Sequence, residues 1–278
     1  MAAKLQQILP DLGKRTLVMG VLNVTPDSFS DGGRFFSKDE AVKHGLQMAA
    51  DGADVIDVGG ESTRPGSEPV EEEEELRRVL PVVQELSKKV NVPISIDTCK
   101  ARVARECLEA GAQIINDVSA MRVDARMVEV VREFECPIVL MHMKGEPKTM
   151  QADPVYARGV VREVMEFLRE RIEFSVAKGI DSANIIVDPG IGFGKTLEHN
   201  LELLRGLREL KGLGRPLLVG TSRKSFIGKL TGLPEGERLE GTIASVVYSV
   251  AQGADIVRVH DVSECKAGLA VVDALVRG

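Results

Sequence analysis

Residues 185–195 read IIVDPGIGFGK, and the order of chemistry in that stretch decides the architecture: a short β-branched apolar run, a carboxylate, then a glycine-rich turn. The same order recurs along the chain. Short apolar runs lie at 17–22, 55–58, 94–96, 114–115, 138–141, 185–187, 217–219 and 256–259, eight in all. Stretches with helical spacing separate them, such as Leu76, Val79, Leu80, Val83, Leu86 and Val90, or Val161, Val164, Met165, Leu168 and Ile172. Further helices are predicted over 101–110, 197–210, 242–252 and 264–277, and Pro81 marks a kink or a restart in the first.

Alternating short strands and helices build parallel sheets from right-handed βαβ units, and eight units fit a closed (β/α)8 TIM barrel of about 250 residues. An open doubly wound sheet is the competing α/β architecture. What separates the two is the polar residue into which each run leads: Asn23, Asp57 with Glu61, Asp97, Asn116 with Asp117, His142, Asp188, Thr221 with Ser222, and Arg258 with His260. In a barrel all eight strand ends converge on one rim, where sites of this fold are built; a doubly wound sheet gathers only those near one crevice. No linker, low-complexity stretch or composition shift divides the chain, so a single domain is expected, with an N-terminal extension over about 1–15.

The 278 residues include 36 Lys and Arg against 42 Asp and Glu, for a net charge of −6. That balance argues against nucleic-acid or anionic-membrane partners, which need concentrated cations. No apolar run reaches the length of a membrane helix and residues 1–10 lack a signal-peptide core, so a cytoplasmic protein is expected. The four cysteines, Cys99, Cys107, Cys136 and Cys265, form no CxxC pair and are expected to be reduced and mostly buried.

Two polar loops follow the first two strands. The first, GVLNVTPDSFSDGG over 20–33, offers oxygen ligands at Asn23, Asp27 and Asp31 that would suit Mg2+. The second, GGESTRPGS over 59–67, presents Thr63 and Arg64 between Gly and Pro hinges, and an Arg so placed can grip a carboxylate or phosphate bidentately. The alternative for each is an ordinary turn-rich connection.

Asp97, Asn116 and Asp188 end three strands and Lys224 follows a fourth. A carboxylate accepts paired N–H groups from an amidine-like edge, and Asn and Lys complete a ring bearing both donors and acceptors, so the set suits a guanine-like or pterin-like heterocycle. Helix N-capping is the alternative for Asp97. DPGIGFGKT fails the Walker pattern because Pro189 stands where glycine is needed, while Phe193 is a candidate ring-stacking residue in a chain with 4% aromatics. Lys224, Arg258 and His260 are the cations at the ends of strands seven and eight, a common anion site in barrels. Arg258 needs an anion or a carboxylate, and Asp188 is the structural partner considered. His142 is expected in a satisfied core role, His44 and His199 at the surface or in caps, and the acidic run 71–75 as a solvated first helical turn.

At these residues the chain resembles the dihydropteroate synthase family. GVLNVTPDSFSDGG, ADVIDVGGESTRPGS, SIDT, INDV, LMHM, DPGIGFGK, GTSRKSF and VRVHD appear in order, from about residue 17 to the end. The resemblance implies a barrel that condenses 6-hydroxymethyl-7,8-dihydropterin diphosphate with p-aminobenzoate, assisted by Mg2+ and open to sulfonamide inhibition. It implies that Asp97, Asn116, Asp188 and Lys224 hold the pterin, with Met141, Gly220 and Phe193 nearby and Arg258 over the ring. Asn23, Thr63, Arg258 and His260 would hold the diphosphate, Asn23 and Asp31 the metal, and Phe29, Thr63, Arg64, Pro65 and Ser225 the p-aminobenzoate. Lys224, Arg258, His260 and Asp31 are thus the expected catalytic set, in a family that suggests a homodimer. A pterin-binding methyltransferase and a non-catalytic pterin binder are the alternatives; the former has no need of the loops around Asp31 and Arg64.

Overall fold

The structure, a computed structural model, describes residues 3–25, 38–62, 66–145 and 148–277. A short helix α1 (Lys4–Ile8) precedes β1 (Leu17–Asn23), α2 (Lys38–Ala50), β2 (Val55–Gly59), α3 (Glu72–Leu86) and β3 (Ile94–Asp97). Then come α4 (Ala101–Glu109), β4 (Ile114–Asp117), α5 (Met127–Phe134), β5 (Ile138–Met141), α6 (Val160–Ala177) and β6 (Ile185–Asp188). The chain ends with α7 (Leu197–Arg205), α8 (Leu207–Leu210), β7 (Leu218–Gly220), α9 (Ser225–Thr231), α10 (Leu239–Ala251), β8 (Ile256–Val259) and α11 (Val262–Val276).

The strands form one parallel sheet in the order β6-β5-β4-β3-β2-β1-β8-β7. A parallel bridge between Val187 and Leu217, with the Val187 amide donating to Pro216 O at 3.0 Å, joins the two ends and closes the barrel. This is the expected (β/α)8 architecture, and the open-sheet alternative is set aside. Residues facing the helices, such as Val18, Leu22, Ile56, Ile96, Ile115 and Val187, belong to the outer core. The alternating positions Leu17, Met19, Val55, Ile114, Val139, Ile186, Leu218 and Ile256 fill the barrel interior. Period-two alternation thus divides each strand between two cores, which is why the strands read as unbroken apolar runs.

The N-terminal segment packs against the barrel. Leu5 and Leu9 are each 3% exposed and pack into the interior cluster, with Ile8 and Leu12 beside them. The Leu5 amide donates to Asn184 Oδ1 at 2.9 Å, so α1 plugs the N-terminal mouth of the barrel. Burying each leucine is worth about 2 kcal/mol. Three expectations are corrected. Helix α3 runs unbroken through Pro81, losing one backbone donor. The expected helix over 197–210 is divided at Gly206 into α7 and α8. Glu75, expected in a solvated turn, is fully buried and paired with Lys100. Of the cysteines, three are buried and Cys99 is half-buried. Among the described residues no helix is long and apolar enough to cross a membrane.

Candidate active site

The last inward-facing position turns polar or small in every strand but β5, which ends on Met141, and register brings these positions together. Gly59 lies beside Asp97, Asp97 beside Asn116, Met141 beside Asp188, and Gly220 beside Arg258. Asp97, Asn116, Met141, Asp188, Gly220 and Arg258 line a small cleft at the C-terminal mouth, together with Val21, Val118, Phe193, Ser222, Lys224 and His260. Asp97, Asn116, Met141, Asp188, Phe193, Gly220, Lys224, Arg258 and His260, all singled out in the sequence, therefore share one cavity.

Arg258 enters from β8, where a cation inside a barrel needs compensation. Its Nε donates to Asp57 Oδ2 at 2.6 Å and its Nη2 to Asp97 Oδ2 at 2.7 Å. Asp188, the partner considered from sequence, makes no ion pair with it; Asp188 Oδ1 accepts the Gly190 amide at 2.7 Å. Asp97 does not cap α4 either: Lys100 occupies the N-cap without a side-chain bond. Asn116 Nδ2 donates to Asp57 Oδ2 at 2.9 Å, so Asp57 holds both Arg258 and Asn116 from below, and its Oδ1 has no partner. In the sequence Asp57 marks the end of an apolar run and no more; its full burial follows from the fold and is invisible in residue type.

Burial raises the Asp97 carboxyl, opposed by Arg258 and reinforced by Asp57. Burial likewise raises Asp188, against the pull of Lys224. Desolvation lowers the Lys224 ammonium to about 8, opposed by Asp188. Carboxylates and cations crowded into a dry cleft shift one another in this way at sites built for a polar ligand. Lys224 Nζ also donates to Ile191 O and stands 4.5 Å from the Phe193 ring centroid. His260 Nδ1 lies 3.0 Å from Ser222 Oγ, which fixes the ring at the rim.

Asn23 ends β1 in register with Gly59, one inward step beyond Val21. Ser225 is the first residue of α9 and is exposed, just past Lys224. Asp27, Phe29, Asp31, Thr63, Arg64 and Pro65 lie outside the described residues. Among the described residues no group of three His, Cys, Asp or Glu side chains is arranged to hold a metal. Mg2+ is usually bound through one or two protein oxygens with waters and substrate phosphates, so a lone amide oxygen at the cleft rim fits such an ion.

Residues 19–260 match the model of the pterin binding enzyme family. A dihydropteroate synthase of Synechocystis is 49% identical over 98% of this chain and 94% of its own length. The crystal structure of a dihydropteroate synthase from Clostridium difficile, in the presence of pteroic acid, superposes with a TM-score of 0.91 at 47% identity, covering 96% of this chain and 99% of that one. A Xanthomonas albilineans dihydropteroate synthase in complex with 7,8-dihydropteroate gives 0.85 at 43% identity, covering 94% of each chain. The chain belongs to the pterin binding enzymes. Within them it is a transferase of the dihydropteroate synthase group.

Proposed function

We propose that the chain joins 6-hydroxymethyl-7,8-dihydropterin diphosphate to p-aminobenzoate, giving 7,8-dihydropteroate and pyrophosphate. The observation that carries this reading is the convergence of Asp97, Asn116, Asp188 and Lys224 on one cleft. The two carboxylates accept the paired N–H groups of the pterin edge, while Asn116 and Lys224 meet its ring acceptors. Phe193 and Met141 supply apolar faces beside the ring. Product-bound and pteroate-bound relatives of the same fold support the two substrate classes.

Arg258 and His260 line the cleft and would meet the diphosphate, with Asn23 and Thr63 as the further groups the family resemblance assigns to it. The C–O bond at the pterin methylene breaks and its electron pair leaves with pyrophosphate; the electron-rich ring spreads the resulting positive charge. The p-aminobenzoate nitrogen then donates its lone pair to that carbon and loses a proton. Stabilising the departing anion is the main demand, and Arg258 and His260 meet it. An arylamine is neutral at pH 7, so no strong general base is required. Asn23 and Asp31 would hold Mg2+, which when bound adds positive charge beside the leaving phosphates. By the family resemblance Phe29, Thr63, Arg64, Pro65 and Ser225 would frame the p-aminobenzoate, and ordering of the two loops would exclude water.

We assign the working form as a cytoplasmic homodimer, with Tyr248 of α10 and Val271 and Leu275 of α11 exposed on one pair of packed helices. The deciding experiment is a coupled assay for pyrophosphate release from the pterin diphosphate, with and without p-aminobenzoate. Release that depends on the arylamine, with formation of dihydropteroate, is expected. Methyl transfer would yield no pyrophosphate, and a pure binding module would retain pterin without turnover.

A further inference from the structure

The turn after β6 carries Phe193 into the cleft, and its backbone is held in an unusual way. Five successive carbonyl oxygens each accept a side-chain donor. Gly190 O accepts from Lys195 Nζ at 2.8 Å, Ile191 O from Lys224 Nζ, and Gly192 O from Gln151 Nε2 at 2.6 Å. Phe193 O accepts from Lys195 Nζ at 3.0 Å and Gly194 O from the Tyr156 hydroxyl at 2.8 Å. Gly190, Gly192 and Gly194 all have positive φ, and a Cβ at Gly190 would come within 2.0 Å of His142 O. The alternation of left-handed glycines aims the carbonyls at their donors.

Lys195 alone serves two of the five. It is 2% exposed, and its third neighbour is His142 Nδ1 at 3.0 Å, at the exit of β5. Among the described residues it makes no ion pair with a carboxylate. As an ammonium it donates to all three neighbours; as a neutral amine it donates to both carbonyls and accepts from the Nδ1–H tautomer of His142. Either form satisfies every contact, so the clamp does not depend on charge. A methionine would fill the same apolar volume without the desolvation cost of an amine, so packing alone does not account for lysine here.

We infer that Lys195 is a positioning residue for the pterin end of the cleft. By tying Gly190 and Phe193 to each other and to His142, it sets the turn that gives Asp188 its amide bond and presents Phe193 beside Lys224. The inference rests on the reading of that cleft as the pterin subsite. It concerns a residue that touches neither substrate, since Lys195 does not line the cleft.

The test compares the full-length protein with Lys195→Met, measuring KM for each substrate in the pyrophosphate assay and Kd for pteroic acid. Losing two hydrogen bonds that hold the turn is expected to raise KM for the pterin diphosphate and Kd for pteroic acid about tenfold. KM for p-aminobenzoate should stay unchanged. A purely structural role would lower the melting temperature and leave both KM values alone, which overturns the inference, as would a parallel rise in both. Because the effect runs through Phe193, Phe193→Ala added to Lys195→Met should cost less than it does alone, and full additivity also counts against the idea. Should Lys195→Met not fold, His142→Leu removes one clamp partner and must raise the pterin KM in the same direction; an unchanged value overturns the inference. Wild-type turnover is the separate control on the reaction itself: its absence, together with absent pteroic acid binding, rejects the pterin reading and this role with it.

Discussion

Asp57, in the middle of β2, and Arg258, one residue before the end of β8, meet at 2.6 Å inside the barrel, 201 positions apart in sequence. Asp57 has no exposed surface, and Arg258 reaches past it to Asp97. One guanidinium thus balances two carboxylates on neighbouring strands and fixes the height at which the cleft floor sits. Asp57→Ala would leave Arg258 with a single carboxylate and the Asn116 amide without its acceptor. We expect a loss of about 3 kcal/mol in unfolding free energy from urea titration, with a raised KM for the pterin diphosphate. A variant of native stability with native KM would show that Asp57 is dispensable.

The depressed ammonium of Lys224 makes a claim about pH. Below about 8 the group is charged and can donate to ring acceptors; above that it progressively loses the proton. The kcat/KM for the pterin diphosphate should therefore fall as pH rises through about 8, because that ratio reports ionisations of the free enzyme. In Lys224→Met the plateau should drop and this alkaline limb should vanish. An unaltered limb in the variant would assign it elsewhere.

Metal dependence is tested by chelation. EDTA should suppress pyrophosphate release and added Mg2+ should restore it. Asn23→Ala should then need a higher Mg2+ concentration for half-maximal turnover, while pteroic acid, which lacks the diphosphate, should bind as before. Equal Mg2+ demand in wild type and variant would remove Asn23 from the metal's shell.

The plug at the opposite mouth makes a purely structural claim. Leu5→Ala leaves a void among Leu17, Val139, Ile186 and other interior residues and should cost about 3 kcal/mol of stability. Both KM values should remain at wild-type levels in the folded fraction, since Leu5 lies in the interior cluster and not on the cleft. A coincident loss of substrate affinity would contradict that separation.

Much of the fold was legible because each barrel strand signals twice, by an apolar run and by the polar residue that ends it. Asp97, Asn116, Asp188 and Arg258 could be placed on one rim by that logic alone. Pairing was harder to read. Residue type offers Asp188 as the partner of Arg258, yet register and strand alternation give it Asp57 and Asp97, and nothing local in the sequence ranks the three aspartates. Glu75 misled in the same way: it closes an acidic run whose other members face water to varying degrees, but it lies on the Leu76–Val79 side of α3 and meets Lys100 there. Lys195 was noticed only as part of a phosphate-loop pattern that fails at Pro189. Its contacts depend on three positive-φ glycines whose effect on the chain path appears only in three dimensions.

Because α1 and its leucines stopper one mouth and side chains fill the interior, the described residues leave the cleft at the other mouth as the way in. Whatever descends toward Asp57 comes in past His260 and Lys224 and goes out the same way. Pyrophosphate, freed at the rim, stands nearer the exit than the pterin beneath it. Free pyrophosphate should therefore compete with the incoming pterin diphosphate for the mouth of the cleft they share.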